Sequence, residues 1–248
     1  MNWRDYWNQD TPIYSGERHK LLHYRGVAND IIDLIPFSEA AILDYGCGEA
    51  LFADRVAARC GHLYLSDAAP LVRGRLEERL GSNAKVSILA PEEVSALPDG
   101  ALDVIIVNSL LQYLSLEELR TLLGLWRDKL SAQGRLVIAD VVPPHLSPVT
   151  DARALLSFAW TGGFLKSAVV GLGRTAFSDY RRLRGAIGLS QYDEAEMLDI
   201  LRAAGFHAER APVNLGHNQA RMTFFASPGP LVALTQTSRP CGPESSTA

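Results

Sequence analysis

The sequence predicts an α/β protein built on a parallel sheet covered by helices on both faces. Three observations carry that class. Strand-like and helix-like segments alternate from residue 41 to residue 142. The run Asp103-Val104-Ile105-Ile106-Val107 is apolar without alternation, as strands buried on both faces tend to be. And the apolar run Ile42-Leu43 ends in Asp44, then turns through Gly46 and Gly48 toward a helical pattern. Such a turn lets backbone approach a ligand closely, with a helix N-terminus adding unpaired donors behind it.

Each element has its own signal. Leu21, Tyr24, Val27, Ile31 and Ile35 recur at helical spacing until Pro36 ends the run. Ala41–Leu43 reads as the first strand and Leu51–Cys60 as the helix after the glycines. His62–Leu65 is a second strand ending at Asp67, Pro70–Leu80 a helix stopped by Gly81, and Lys85–Leu89 a third strand. Asp103–Val107 is the fourth. Leu116–Leu130 is an amphipathic helix with Ser115 as its N-cap and Glu117 and Glu118 in the first turn. Arg135–Val142 is the fifth strand. Pro143-Pro144 breaks the alternation, and residues 148–188 read as mostly helical with glycine interruptions. A helix over Asp193–Ala204 ends at Gly205, and strands follow near Ala208–Asn214 and Arg221–Ala226. This divides the chain into an N-terminal lid and helix (1–37), a main domain (38–226) with a helical insertion (148–188), and a disordered proline-rich tail (227–248).

Bulk properties narrow the function classes. A chain of 248 residues with 47% hydrophobic and 21% charged residues suits a globular domain with a large core. A net charge of −4 argues against nucleic acid. Cys47, Cys60 and Cys241 make no disulfide framework, the N-terminus lacks an apolar signal core, and no apolar run is long enough for a membrane span. A cytoplasmic setting is the expectation. The charge is unevenly spread. Residues 151–190 hold six basic side chains against two acidic ones, a net basic segment in an acidic chain.

The glycine loop admits three readings. It is a tight turn with no ligand, or a dinucleotide fingerprint, in which Leu51 occupies the place of the third glycine, or a third kind of cradle. Asp44-Tyr45-Gly46-Cys47-Gly48-Glu49-Ala50 resembles the first motif of the class I S-adenosylmethionine-dependent methyltransferases, an acid followed by x-G-x-G-x-G, with Ala50 in place of the last glycine. Further matches follow in order. Asp67, 23 residues beyond Asp44, stands where that family keeps an acid for the ribose hydroxyls, with Ala68 beside it. Glu92-Glu93 and Leu97-Pro98 resemble the stretch whose acid meets the adenine amine, either glutamate fitting. Asn108-Ser109-Leu110-Leu111-Gln112-Tyr113-Leu114 resembles the loop after strand four, Leu130–Leu136 the approach to strand five, and Ala204-Gly205-Phe206 the entry to strand six.

The resemblance implies a Rossmann-like, doubly wound seven-stranded sheet of order 3-2-1-4-5-7-6 with the last strand antiparallel. It also implies S-adenosyl-L-methionine as cofactor and no metal. Asp44, Gly46, Cys47, Gly48, Asp67, Ala68, Glu92 or Glu93, and Asn108 are the implied cofactor residues, with Tyr14 and Arg18 closing over them from an N-terminal lid. The expected activity is methyl transfer to a small apolar or aromatic metabolite at oxygen, carbon or nitrogen. The alternatives are a non-catalytic cofactor-binding partner subunit and an NAD-dependent oxidoreductase. If the acceptor is a hydroxyl, a base suits the crevice: His145 follows strand five, and His217 lies in the turn between the last two strands. Gln112 and Tyr113 are candidates to orient the acceptor. The apolar residues of 148–188 are expected to wall it, and Arg181, Arg182 and Arg184 to meet an anionic group or an anionic membrane surface.

Overall fold

The computed structural model describes residues 14–176 and 190–229. The chain opens with helix α1 (Glu17–Leu34) and continues as β1 (Ala41–Tyr45), α2 (Ala53–Ala57), β2 (His62–Ser66), α3 (Pro70–Leu80), β3 (Val86–Leu89), α4 (Pro91–Val94) and β4 (Leu102–Asn108). A 3-10 turn (Leu111–Tyr113) leads to α5 (Leu116–Lys129) and β5 (Leu130–Val141). Then come α6 (Pro148–Gly162), α7 (Leu165–Ala176), α8 (Glu194–Ala203), β6 (Phe206–Arg210) and β7 (Met222–Pro228). The seven strands form one sheet of order β3-β2-β1-β4-β5-β7-β6. β1 to β5 are mutually parallel, and β7 runs antiparallel to both β5 and β6. The expected topology is therefore the observed one.

Side-chain alternation divides the core between two faces. Leu43, Ile105, Val107, Leu136 and Ile138 pack with Leu119, Leu123 and Trp126 of α5 and with Met197 and Leu201 of α8. Ile42, Val104, Ile106 and Val137 face the other way, against Ile31 of α1, Val56 of α2 and Leu76 of α3. Each fully buried Leu, Ile or Trp contributes about 1.5–3 kcal/mol. The start of α5 is fixed as its sequence predicts: the Ser115 hydroxyl accepts from the Glu118 N–H at 3.1 Å, and the Glu118 carboxylate accepts from the Ser115 N–H at 2.8 Å.

Some boundaries move. The helix after the glycines is only Ala53–Ala57. Residues 48–52 are used in a turn in which Ala50 adopts φ +39° and its carbonyl accepts from Ala53 N–H. β5 begins at Leu130, opposite Leu102, because α5 feeds the strand without a loop. β6 starts at Phe206, directly after Gly205, and ends before Asn214, whose side chain bonds elsewhere. Among the described residues, the insertion contains two helices that meet at Gly163, which has φ +70°. The expectations on the lid before residue 14, on Arg181, Arg182 and Arg184, and on the tail beyond residue 229 fall outside the described residues.

Candidate active site

At the carboxyl ends of the parallel strands, where the order reverses between β1 and β4, lies a cavity of about 1610 Å³. A single small-ligand pocket is roughly 300–1,000 Å³, so this one has room for two ligands side by side.

Its first wall is the glycine loop. Gly46 has φ +81° and Gly48 φ +56°, and a β-carbon on Gly48 would stand 2.8 Å from the Tyr24 hydroxyl. Conformation and space therefore both disfavour a side chain at Gly48. The loop's amides are already engaged. Gly46 and Cys47 donate to the Ser66 carbonyl at 2.7 and 3.1 Å, Gly48 to Asp67 Oδ2 at 3.0 Å, and Glu49 to the Tyr24 hydroxyl at 3.0 Å. With α2 displaced to Ala53, the loop offers close backbone approach rather than a row of free helix donors.

Asp44 is the electrostatic centre of this wall. It is buried on the α1 side of the sheet, and among the described residues no donor reaches its carboxylate. Burial, then the charge of Asp67, pushes its pKa up to about 7. Asp67 is better satisfied, because Gly48 and Ala69 N–H both donate to it, yet burial still raises it. The Ser66 hydroxyl, Asn108 Oδ1 and Gln112 Oε1, all on cavity-lining residues, are buried with no hydrogen-bond partner in the described structure. Two buried acids and three unmet polar atoms make an environment that favours a polar, cationic ligand. Burial first, then Asp44 and Asp67, also raises the Cys47 thiol, which keeps it protonated.

The second wall comes from α1 and the turn between β6 and β7. Tyr14, His19, His23 and Tyr24 line it with His217. The His217 ring stacks on Phe158 at 4.7 Å, and His19 stacks on Phe164 at 5.0 Å. Ser15 N–H donates to His19 Nδ1 at 3.2 Å, which leaves the proton on Nε2. Burial, then His217, lowers His19 to about 4. Burial, then His217 and His19, lowers His23 to about 4. Burial also lowers His217, against the opposing pull of Asp140. All three imidazoles are neutral at pH 7.

Behind His217 lies a braced ionic network. Asp140 Oδ2 accepts from Ser109 Oγ and from Arg221 Nη1, each at 2.6 Å. Asp151 Oδ1 accepts from Asn218 Nδ2 at 2.6 Å and from Arg221 Nη2 at 3.3 Å. Ser109 and Asp140, at the ends of neighbouring strands, both hold left-handed backbone, at φ +57° and +62°. That strain at two adjoining strand ends is the kind that accumulates at functional sites.

The cavity thus brings together Asp44, Gly46, Cys47, Gly48, Asp67, Ala68, Glu92, Asn108, Gln112, Tyr113, Tyr14 and His217. Three residues expected at the site lie elsewhere. His145 is exposed and outside the cavity, because the turn after Val142 carries Leu146 inward instead. Arg18 donates to the Gly162 carbonyl at 2.5 Å, tying α1 to the end of α6. Glu93 accepts from Ala90 N–H at 2.6 Å and caps α4, which leaves Glu92 as the glutamate facing the cavity. His19, His23, Asp140 and Arg221 were not anticipated. The spacing of His19 and His23, four apart on one helix, was their only sequence signal.

Comparison with known proteins bears on this arrangement. Residues 42–134, from the glycine loop to the start of β5, match the family model of a methyltransferase domain. The segment that holds the glycine loop is thus similar to methyltransferases. The chain is 30% identical over 115 residues, 46% of its length, to uncharacterized methyltransferases of Mycobacterium tuberculosis and Mycobacterium bovis. The chain spans about half, 56%, of the length of those relatives. Among solved structures, its fold is similar to a putative methyltransferase of Haloferax volcanii in complex with the Trm112 activator. The TM-score is 0.59 at 15% identity, over 92% of this chain and 99% of that one. It is also similar to a magnesium protoporphyrin IX methyltransferase of Synechocystis with bound SAH, at TM-score 0.56 and 16% identity, over 92% and 93% of the two chains. Both likenesses concern the fold.

Proposed function

We propose that this methyltransferase domain binds S-adenosylmethionine in the glycine cradle and passes its methyl group to a small apolar or aromatic metabolite at oxygen, carbon or nitrogen. The observation that carries this reading is Asp44, a buried carboxylate without a donor. A ligand with a cationic amino group and a sulfonium supplies the missing counter-charge, whereas a dinucleotide, with its two phosphates, would add negative charge beside Asp44 and Asp67. When bound, the cofactor supplies an electrophilic methyl group on a good leaving group.

The protein's own tasks are then binding, orientation and proton handling. Asp44 compensates the amino group, Asp67 with Ala68 accepts the ribose hydroxyls, and Glu92 accepts from the adenine amine. Gly46, Cys47 and Gly48 allow close approach, and Asn108 and Tyr14 close the cofactor side. Cys47 is a small packing residue, since its thiol stays protonated. Leu146, Pro148, Leu155 and Leu172 give the remaining volume an apolar wall. Gln112 and Tyr113 orient the acceptor there. Neutral His217, braced beside the Asp140–Arg221–Asp151 network, takes the proton of an acceptor O–H or N–H.

The deciding experiment is calorimetry of the purified full-length protein with S-adenosylhomocysteine and with NAD. Saturable binding of the first and none of the second is expected, with binding lost in Asp44→Asn. Binding of NAD alone would overturn the reading. Transfer of a labelled methyl group into an extract of apolar metabolites then separates an enzyme from a partner subunit that only binds the cofactor.

A further inference from the structure

The helical hairpin α6–α7 has an inner face that the site uses and an outer face that the site does not. On the inner face, Ala159, Phe164 and Ala168 form a small core, while Leu155 and Leu172 line the cavity. On the outer face, Trp160 is 75% exposed, Val169 56% and Val170 55%. The two valines share their stripe of α7 with exposed Lys166 and Gly173, and Trp160 shares its stripe of α6 with exposed Arg153. A helix stripe facing water is ordinarily polar. Here it is apolar with two cations, and the sequence holds no Asp or Glu from residue 152 to residue 178.

We propose that this outer face docks on an anionic lipid bilayer. Tryptophan with flanking aliphatics and basic residues is the composition that settles at the boundary of headgroups and acyl chains. Charge selects the partner. Cations unaccompanied by acids are attracted to anionic headgroups. Two copies meeting symmetrically through this same face would instead bring Arg153 and Lys166 against their own counterparts. The contact is peripheral, since among the described residues no helix is long and apolar enough to cross a membrane. The docking stands on the outer face alone and does not depend on what the cavity binds.

Co-sedimentation of the full-length protein with sucrose-loaded vesicles tests this. Vesicles of phosphatidylcholine with about one-third phosphatidylglycerol should pellet the protein, and vesicles of phosphatidylcholine alone should pellet about tenfold less. The combined variant Trp160→Ser, Val169→Ser, Val170→Ser should lose about tenfold or more in partitioning. The variant Arg153→Gln, Lys166→Gln should lose about fivefold per charge, with a weaker salt dependence. Thermal melts of each variant matching the wild type show that the fold is intact, and the charge variant keeps the test open if the apolar one misfolds. Failure of the wild type to pellet with anionic vesicles would overturn the proposal. So would equal pelleting by both variants, or a lipid-free dimer that the apolar variant abolishes.

Discussion

Asp44 sets two opposed demands at a single residue. Its raised pKa means that the folded state holds a proton which the unfolded chain has lost between about pH 4 and pH 7. Across that window, rising pH removes stability, and above pH 7 the full penalty of a buried anion is present. Asp44→Asn removes the penalty while keeping the shape. The melting temperature of the variant should therefore exceed that of the wild type by a margin that widens from pH 5 to pH 8, as differential scanning fluorimetry would read. Affinity for S-adenosylhomocysteine should change in the other direction, falling at least tenfold, and in the wild type it should weaken as pH drops below 7. A residue that destabilises the empty fold and is required by the ligand is the expected form of a stability–function trade-off. His217 permits a second test at this scale. If it takes the acceptor's proton, His217→Ala should lower kcat by about 10²–10⁴-fold with a smaller change in KM. The deficit should shrink for acceptors that are already ionised.

Among the elements, α1 does more than cover the sheet. Tyr24 accepts from Glu49 N–H in the glycine loop, Lys20 pairs with Glu49 at 2.6 Å, and Asp30 accepts from Gly216 N–H at 2.9 Å in the turn that carries His217. One rigid helix thus fixes the cofactor cradle relative to the proposed base. Tyr24→Phe removes the acceptor of a part-buried amide and should cost about 1 kcal/mol of stability, with a matching loss of cofactor affinity, measured by urea unfolding and calorimetry. The histidines of α1 give this docking a pH dependence of the opposite sign to that of Asp44. Their folded pKa values near 4 lie below the unfolded value, so the unfolded chain binds more protons between about pH 4 and 6.5. Stability carried by neutral His19 and His23 is complete above pH 6.5 and lost toward pH 4. The pair of changes His19→Gln and His23→Gln should flatten that acid limb of the pH–stability curve.

For the whole molecule, ligand binding and folding are linked. A ligand held at about 100 times its dissociation constant stabilises by about 2.7 kcal/mol, which for a domain of this size raises the melting temperature by roughly 5–10 °C. S-adenosylhomocysteine should give a shift of that order, and Gly48→Ala should abolish it, because its β-carbon would meet the Tyr24 hydroxyl that positions α1. The cavity, larger than one small ligand needs, is lined by α6 and α7 as well as by the strand ends. The same two helices carry the exposed Trp160, Val169 and Val170, so one hairpin supplies both the proposed acceptor wall and the proposed lipid contact.

What the sequence determined by itself is the sheet and the cradle. The alternation of strands and helices follows from apolar runs broken by helical patterns, the strand order is what the family resemblance implies, and Asp44, Gly46, Gly48 and Asp67 are close in sequence to the strand ends that hold them. Local chemistry is legible locally: Ser115 announced its cap and Pro36 its helix end. The sequence predicts a longer α2 than the structure has, because Ala50, a residue with no turn signature, takes a left-handed conformation. Only the tertiary structure decided the second wall. His19, His23, Asp140, Asp151 and Arg221 come from four separate stretches of chain, and apart from the spacing of the two histidines nothing local distinguishes them from ordinary surface residues. Their neutrality, their tautomers and their ion pairs arise from burial against one another, a property of the packed molecule. Glu92 and Glu93 make the same point in miniature. The sequence left them equivalent, and the geometry of α4 turned one to the cavity and the other to a backbone amide.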